Sequence, residues 1–449
     1  MGTNEETKVL DTVIVGAGIA GLTVAHRLRD RDILLLEKEE VCGGRTISRK
    51  MGEYVYNAGA QVVLGNESAP AKLADELGMK RTLIDKTRLS MHMKSKLIAA
   101  RSEPAFLWGM PIPLMEKVKL ALKLRHINRR YGELADIPLD LNNPKVRELF
   151  AKTLSDFVGV RHPDIKAIWD AVSMASNTLP SHEVAAFQPI NTFLHFAAQE
   201  YYVEGGTWEL TKALWKSVGD KTETLARVEE VTQQNGTVRV AYNQAGQDKT
   251  VEARRCVIAA PAPLVLPMVK NVPQWKRDAL SKVYYGSMTT AGFLLSENSE
   301  RFLQDGVWRV PVLGKKFISV TNPTFTFPNE VKQRTGQGLL RVYTGDKVSK
   351  ELRQMSDGEA MEVLSEELMD IFPNIKGKII TGSIKHWDHA IPAWRPGHLE
   401  MVEALMAPTG RVHYCGDYTL NSGLESSVLS AHRVLEELEK EPEGQPRVE

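Results

Sequence analysis

Three glycines, Gly16, Gly18 and Gly21 in VGAGIAGL, stand in the spacing G-x-G-x-x-G between an apolar run and an amphipathic one. That spacing serves a pyrophosphate. The first glycine permits a tight turn, the second lets backbone amides approach the diphosphate, and the third lets a helix pack closely on a strand. Ile19 and Ala20 would then open that helix, its positive end facing the anion. An acidic residue about 20 positions on should accept hydrogen bonds from a ribose. Glu37 stands there, with Lys38 after it. Strand (TVIV), turn, helix (IAGLTVAHRLRD) and strand (ILLLE) follow in order over residues 11–37, a β-α-β unit that starts a parallel sheet. A dinucleotide is expected, and the fingerprint alone does not separate NAD from FAD.

The residues that follow do separate them. Gly43, Gly44 and Arg45 in VCGGRTIS precede Gly59, Ala60 and Gln61 in YNAGAQVV. With these motifs the chain resembles the flavin amine oxidase superfamily, which includes protoporphyrinogen oxidases and phytoene-desaturase-type enzymes. A second glycine pair lets backbone reach the diphosphate and the ribityl group, and Arg45 supplies a cation beyond what one helix dipole offsets. The resemblance continues through VEGGTWEL at 203–210, where the sequence re-enters the nucleotide domain, and CVIAAPAP at 256–263. It implies a backbone contact from Val228 to adenine. It also implies that Gly416 and Asp417 sit at the ribityl and pyrophosphate, with Gly423, Leu424 and Glu425 beside the flavin ring. The implied cofactor is FAD, held non-covalently, because the covalent-cysteine motif of monoamine oxidases is missing.

A flavin takes a hydride, so the protein has only to orient a carbon and exclude water; no nucleophile is required. Histidines such as His92 and His195 are therefore read as structural or surface residues rather than catalytic ones. Two residues are singled out for the reaction. Trp394 in IPAWRPGH, a stretch resembling that of protoporphyrinogen oxidases, would wall the flavin face or else pack in the core. Lys315 in VLGKKFISV, with Lys316, is the candidate for the lysine that promotes reaction with oxygen in amine oxidases, or else a hairpin turn. The aromatic that completes an amine cage in many relatives is Gly423 here. The expected activity is hydride abstraction from a C–N or activated ring C–H bond of a small or lipophilic substrate, with electrons passing to O2 or another acceptor. A carotenoid or squalene-type desaturase, or a protoporphyrinogen-oxidase-like enzyme, is the alternative within the class. A non-redox isomerase or cyclase that holds FAD is the alternative outside it.

The elements that must position these residues read as α/β. A Rossmann-like FAD-binding domain is drawn from 1–87, 203–283 and 387–449. A helical lid spans 88–202, and a substrate-domain sheet spans 284–386, with a helix whose start is marked by the capping-box pair Ser356 and Glu359. The polar tail from Glu439, EKEPEGQPRVE, is expected to be loose.

Composition narrows the partners. Among 449 residues, 57 Lys and Arg oppose 56 Asp and Glu, so no net field steers the protein onto nucleic acid. Three widely spaced cysteines match neither a disulfide framework nor a metal site, which suits a reducing, cytoplasmic setting. No run approaches the roughly 18 apolar residues of a membrane span. Within that balance, Lys117, Lys119, Lys123, Arg125, Arg129 and Arg130 against Glu116 leave an excess of positive charge on one amphipathic helix. Residues 106–130 either present a solvated basic face or touch a membrane peripherally. Oligomeric state is left open.

Overall fold

The computed structural model describes residues 8–135, 140–159, 161–195, 199–304 and 306–440; the expected loose tail from 441 lies outside the described residues. Among the described residues, two large sheets, three small ones of two or three strands and a set of helices make up a mixed α/β fold. The first sheet begins as predicted, with Val9–Val15, the helix Ile19–Arg27 and Ile33–Leu36. Thr222–Glu223 lies beyond Ile33–Leu36, and Gln247–Ile258 lies on the other side of Val9–Val15, all parallel.

Gln247–Ile258 changes neighbours along its length. Its second half runs parallel to Val412–Tyr414, with Cys256 opposite Val412, and Cys256, Val257 and Ile258 have no exposed surface. Its first half pairs antiparallel with Thr237–Gln244, which pairs with Ala226–Gln234. The apolar end of the strand suits a parallel layer covered on both faces, and the more polar start suits a meander with one face in water. Ile19–Arg27, Trp208–Lys216 and the C-terminal helix Leu424–Lys440 share one apolar cluster on this sheet.

The second sheet is antiparallel throughout. Its order is Arg309–Pro311, Phe317–Thr321, Gly338–Thr344, Tyr284–Leu295 and Ile379–Ala393. Ala291, Phe293, Leu340 and Val342 point to the helix Asp357–Ile371, which opens with the capping box that its sequence predicts. The other face is also buried, because all seven residues of Gly338–Thr344 are. Ile379–Ala393 is one strand across residues 386 and 387, where the sequence reading places a domain boundary. Its Pro392 is tolerated because the strand lies at the edge of the sheet.

Residues 88–202 are not all helical. A hairpin, Leu89–Met93 with Lys96–Ala100, comes before the helices. Its two-residue turn puts Lys94 and Ser95 at φ 50° and 57°, the primed-turn geometry that matches strand twist but lacks the usual Asn-Gly signal. Six helices follow, from Glu103–Gly109 to Phe187–His195, with Leu114–Tyr131 the longest.

Candidate functional site

The glycine turn has the strain that its spacing predicts. Gly16 takes φ +101°, and a Cβ on Gly21 would lie 2.0 Å from the Gly16 carbonyl oxygen, so neither tolerates a side chain. Gly18 precedes the helix of Ile19 and Ala20; that helix has no side-chain cap, and a Cβ on Gly18 would meet nothing within 4 Å. The first amides of that helix therefore lack a side-chain acceptor, and the space beside Gly18 is open. Gly43 and Gly44 lie against this turn, the Gly43 amide donating to the Ala17 carbonyl at 2.8 Å.

Glu37 is buried, and its carboxylate accepts from the Ala17 and Glu39 amides at 2.7 and 3.0 Å. Burial raises its pKa, against the pull of those two amides. The acid therefore ties the glycine turn to the second strand as well as standing where a ribose acceptor is expected. Lys38 is exposed and pairs with Glu39 at 3.2 Å. Val228 is half-buried beside a bulge in its strand.

Arg45 and Asp417, each expected at the cofactor, meet each other. The guanidinium forks onto the carboxylate at 2.5 and 3.0 Å, and Tyr285 Oη donates to the same carboxylate at 2.6 Å. Arg45 also donates to the Ala390 carbonyl at 3.0 Å, so much of its charge is already satisfied by protein. The Gly416 amide donates to Ser430 Oγ at 2.8 Å. Leu424 opens the C-terminal helix after Gly423, and Glu425 accepts from the Ala69 amide at 2.8 Å, which anchors the helix start.

The loop of Gly59, Ala60 and Gln61 is gripped from four directions. Trp387 Nε1 donates to the Ala58 carbonyl at 2.9 Å, Arg341 Nη2 to Gly59 at 3.2 Å, Thr207 Oγ1 to Ala60 at 2.9 Å and Asn57 Nδ2 to Gln61 at 2.7 Å. Such a loop is fixed before any ligand arrives, while Gly59, Ala60 and Gln61 keep part of their surface open to solvent. The sequence reading missed Trp387, Thr207 and Arg341. A signal for Arg341 was present, an arginine inside the otherwise apolar strand LLRVYT.

The two residues singled out for the reaction lie elsewhere. Trp394 is fully buried in the cluster of the lid helices, its ring 5.6 Å from Phe150 and 4.0 Å from His398. Its backbone carbonyl accepts from the Ala185 amide at 2.7 Å. Lys315 is held by Asp370 and lies 3.8 Å from Glu367, both on the helix covering the second sheet's opposite face. The Asp370 hydrogen bond raises its pKa. Neither touches the pinned loop. His92 is buried in the hairpin, and the side chain of His195 lies outside the described residues.

Known proteins place the sequence in a family. The family model described as flavin containing amine oxidoreductase matches residues 19–438. A probable flavin-containing monoamine oxidase A of Dictyostelium discoideum is 21% identical over 95% of this chain and 97% of its own length. An L-amino-acid oxidase of Demansia vestigiata is 22% identical over all of this chain and 90% of its own. A solved structure of wild-type putrescine oxidase bound to putrescine superposes with a TM-score of 0.79 at 17% identity, covering 97% of this chain and 100% of that one. The chain belongs to the flavin-containing amine oxidoreductase family, and it is an oxidoreductase.

Proposed function

We propose that the protein is an FAD-dependent oxidase or dehydrogenase that takes a hydride from the carbon of a C–N bond, with O2 or another small molecule as the final acceptor. The observation that carries this reading is that two helices start, at Ile19 and Leu424, after the carboxyl ends of parallel strands of one sheet, beside a loop pinned at four consecutive carbonyls. The residues fit a non-covalently held flavin dinucleotide. Ile19, Ala20 and Gly21 offer amides to the diphosphate, Glu37 has lone pairs left for a ribose, and residues 59–61 with the amides of Leu424 and Glu425 border the ring. When bound, FAD supplies the two-electron acceptor. The protein's part is to orient the substrate carbon and keep water away, and the Rossmann-like domain (1–87, 203–283 and the segment after Ala393), the lid (88–202) and the second sheet (284–393) divide that work.

The test uses purified protein mixed anaerobically with a panel of amines. The expected outcome is a yellow protein whose visible flavin bands bleach with an amine. Bleaching only by a porphyrinogen or polyene would move the reaction to a C–H bond of a ring or of a polyene. Activity without bleaching, found only in pre-reduced protein, would make the chemistry isomerisation.

A second feature supports membrane contact. On Leu114–Tyr131 and the helix before it, Trp108, Leu114, Met115, Val118 and Leu122 are 42–64% exposed. The spacing of Leu114, Val118 and Leu122 makes one stripe, and exposed Lys119, Arg125 and Arg129 accompany it. No helix among the described residues is long and apolar enough to cross a membrane. The protein therefore rests on an anionic bilayer surface through residues 106–130, in a reducing compartment where its buried cysteines stay free. Vesicles containing phosphatidylserine should co-sediment the protein at low salt. Leu114→Glu with Leu122→Glu should abolish this, and equal pelleting of that variant would refute the contact.

A further inference from the structure

The face of the second sheet that looks toward the pinned loop is polar, and its polarity is incomplete. Arg309, Thr321, Arg341 and Gly292 lie side by side across four strands, and the next row holds Ser319, Tyr343 and Thr290. Directly opposed residues of an antiparallel sheet share a face, so these side chains form one surface. Arg341 is 2% exposed. Its Nη2 donates to the Gly59 carbonyl, but its Nε and Nη1 have no acceptor among the described residues. Arg309 Nε, Thr290 Oγ1 and Ser319 Oγ are also buried without partners among the described residues. Buried donors are seldom left unpaired, and a cluster of them on one face marks a missing acceptor.

Charge says what kind of acceptor. Glu200 lies 3.4 Å from Arg309 and 3.2 Å from Lys86, so one carboxylate serves two cations. Arg341 has no carboxylate in hydrogen-bonding reach among the described residues; its guanidinium lies 5.0 Å from the Tyr343 ring centre. Burial, with Arg309 nearby, pulls its pKa down to about 10, which still leaves it charged at neutral pH. Arg309 is also fixed from the site side, because its Nη2 donates to Gln61 Oε1 at 3.3 Å. Three cations and one anion leave an excess of positive charge beside the loop that borders the flavin ring. A guanidinium offers a planar fork, whose natural complement is the two oxygens of a carboxylate.

We propose that Arg341, backed by Arg309 and the hydroxyls of Thr290 and Ser319, receives a carboxylate of the substrate. This deepens the flavin-oxidoreductase reading above and rests on it. The substrate is then an amino acid or another amine that bears a carboxylate, oriented by its anionic end with the carbon to be oxidised toward the pinned loop.

The experiment compares benzoate with its neutral isostere benzamide, by calorimetry on the purified holoprotein and its Arg341→Met and Arg341→Lys variants. Benzoate should bind at least about tenfold more tightly than benzamide. Arg341→Met should weaken benzoate by about 10- to 100-fold, the range for losing hydrogen bonds to a charged group, and leave benzamide unchanged. Arg341→Lys, which keeps the charge but loses the fork, should fall between. Equal affinity for the two probes in the wild-type protein, or a benzoate preference that survives Arg341→Met, would overturn the assignment. Flavin absorbance of the same samples separates the two levels. A yellow protein indifferent to benzoate refutes the carboxylate site alone, whereas a colourless one refutes the flavin reading and the substrate assignment with it.

Discussion

Lys276 and Arg341 are both buried cations, and the protein treats them oppositely. Lys276, in the helix Gln274–Ser281, has no exposed surface. Its ammonium donates to the carbonyls of Ala404, Leu405 and Ala407 at 2.8 to 2.9 Å and lies 3.7 Å from the Tyr414 ring centre. Those carbonyls end the helix Val402–Met406, where backbone oxygens lack intrahelical donors and carry the negative end of the dipole. Burial pulls the Lys276 pKa down, and the three carbonyls oppose that pull, because only the ammonium has three N–H groups to match them. That cation is complete within the protein. Arg341 keeps Nε and Nη1 unmatched on a face that looks toward the pinned loop. The first cation is spent on packing beside the first sheet, and the second keeps donors unmatched among the described residues.

His398 shows a third solution. It is 2% exposed beside Trp394, its Nε2 has no partner among the described residues, and burial lowers its pKa to about 4. An imidazole without an acceptor can give up its proton. A guanidinium whose pKa stays near 10 cannot, and so needs an anion.

The largest effect should come from Lys276→Met, which leaves three buried carbonyls without a donor. A loss of about 3–5 kcal/mol is expected in denaturant unfolding, and a loss below about 1 kcal/mol would dissolve the contrast. Next is pH. The unfolded protein binds a proton on His398 below pH 6.5, and the folded one only near pH 4, so stability is full above 6.5 and falls as pH drops through that window. The fall amounts to about 3 kcal/mol by pH 4, and His398→Gln should flatten it when unfolding is measured at pH 7.5 and 5. Smallest is Arg341→Met without ligand. Removing an uncompensated buried charge offsets the lost hydrogen bond, so stability should change by less than about 1 kcal/mol, in either direction. A loss as large as that of Lys276→Met would mean that Arg341 is structural.

Much of the fold was legible because local rules and the tertiary structure agree. The strand, turn and helix around Gly16, Gly18 and Gly21, the capped helix at Ser356 and most strands of the two large sheets follow from periodicity and turn chemistry, though Thr222–Glu223 and the run of Ile379–Ala393 past Trp387 do not. The Lys94–Ser95 hairpin was not legible, because its turn lacks glycine and tertiary packing overrides the residues' preference. Segment 16–21 was read from its spacing, and 43–45 and 59–61 from the family resemblance; glycine stands in them where backbone comes close to backbone, as at Gly21 against Gly16 and Gly59 against Arg45. Lys315 and Trp394 were chosen by residue type, and type does not say which face of a sheet or which layer of a core a residue joins.

The sequence by itself determined the strand, glycine turn and helix around Gly16, because backbone geometry there depends on residues a few positions apart. It also determined where the basic, apolar helix at 114–131 runs, because helical period is local. Only the tertiary structure decided that Arg45 closes on Asp417, that Ile379–Ala393 runs unbroken between the two halves of the molecule, and that Arg341 stands unmatched beside Gly59. Each depends on register between strands distant in sequence. A shift of one residue in Gly338–Thr344 would turn Arg341 to the opposite face of the sheet.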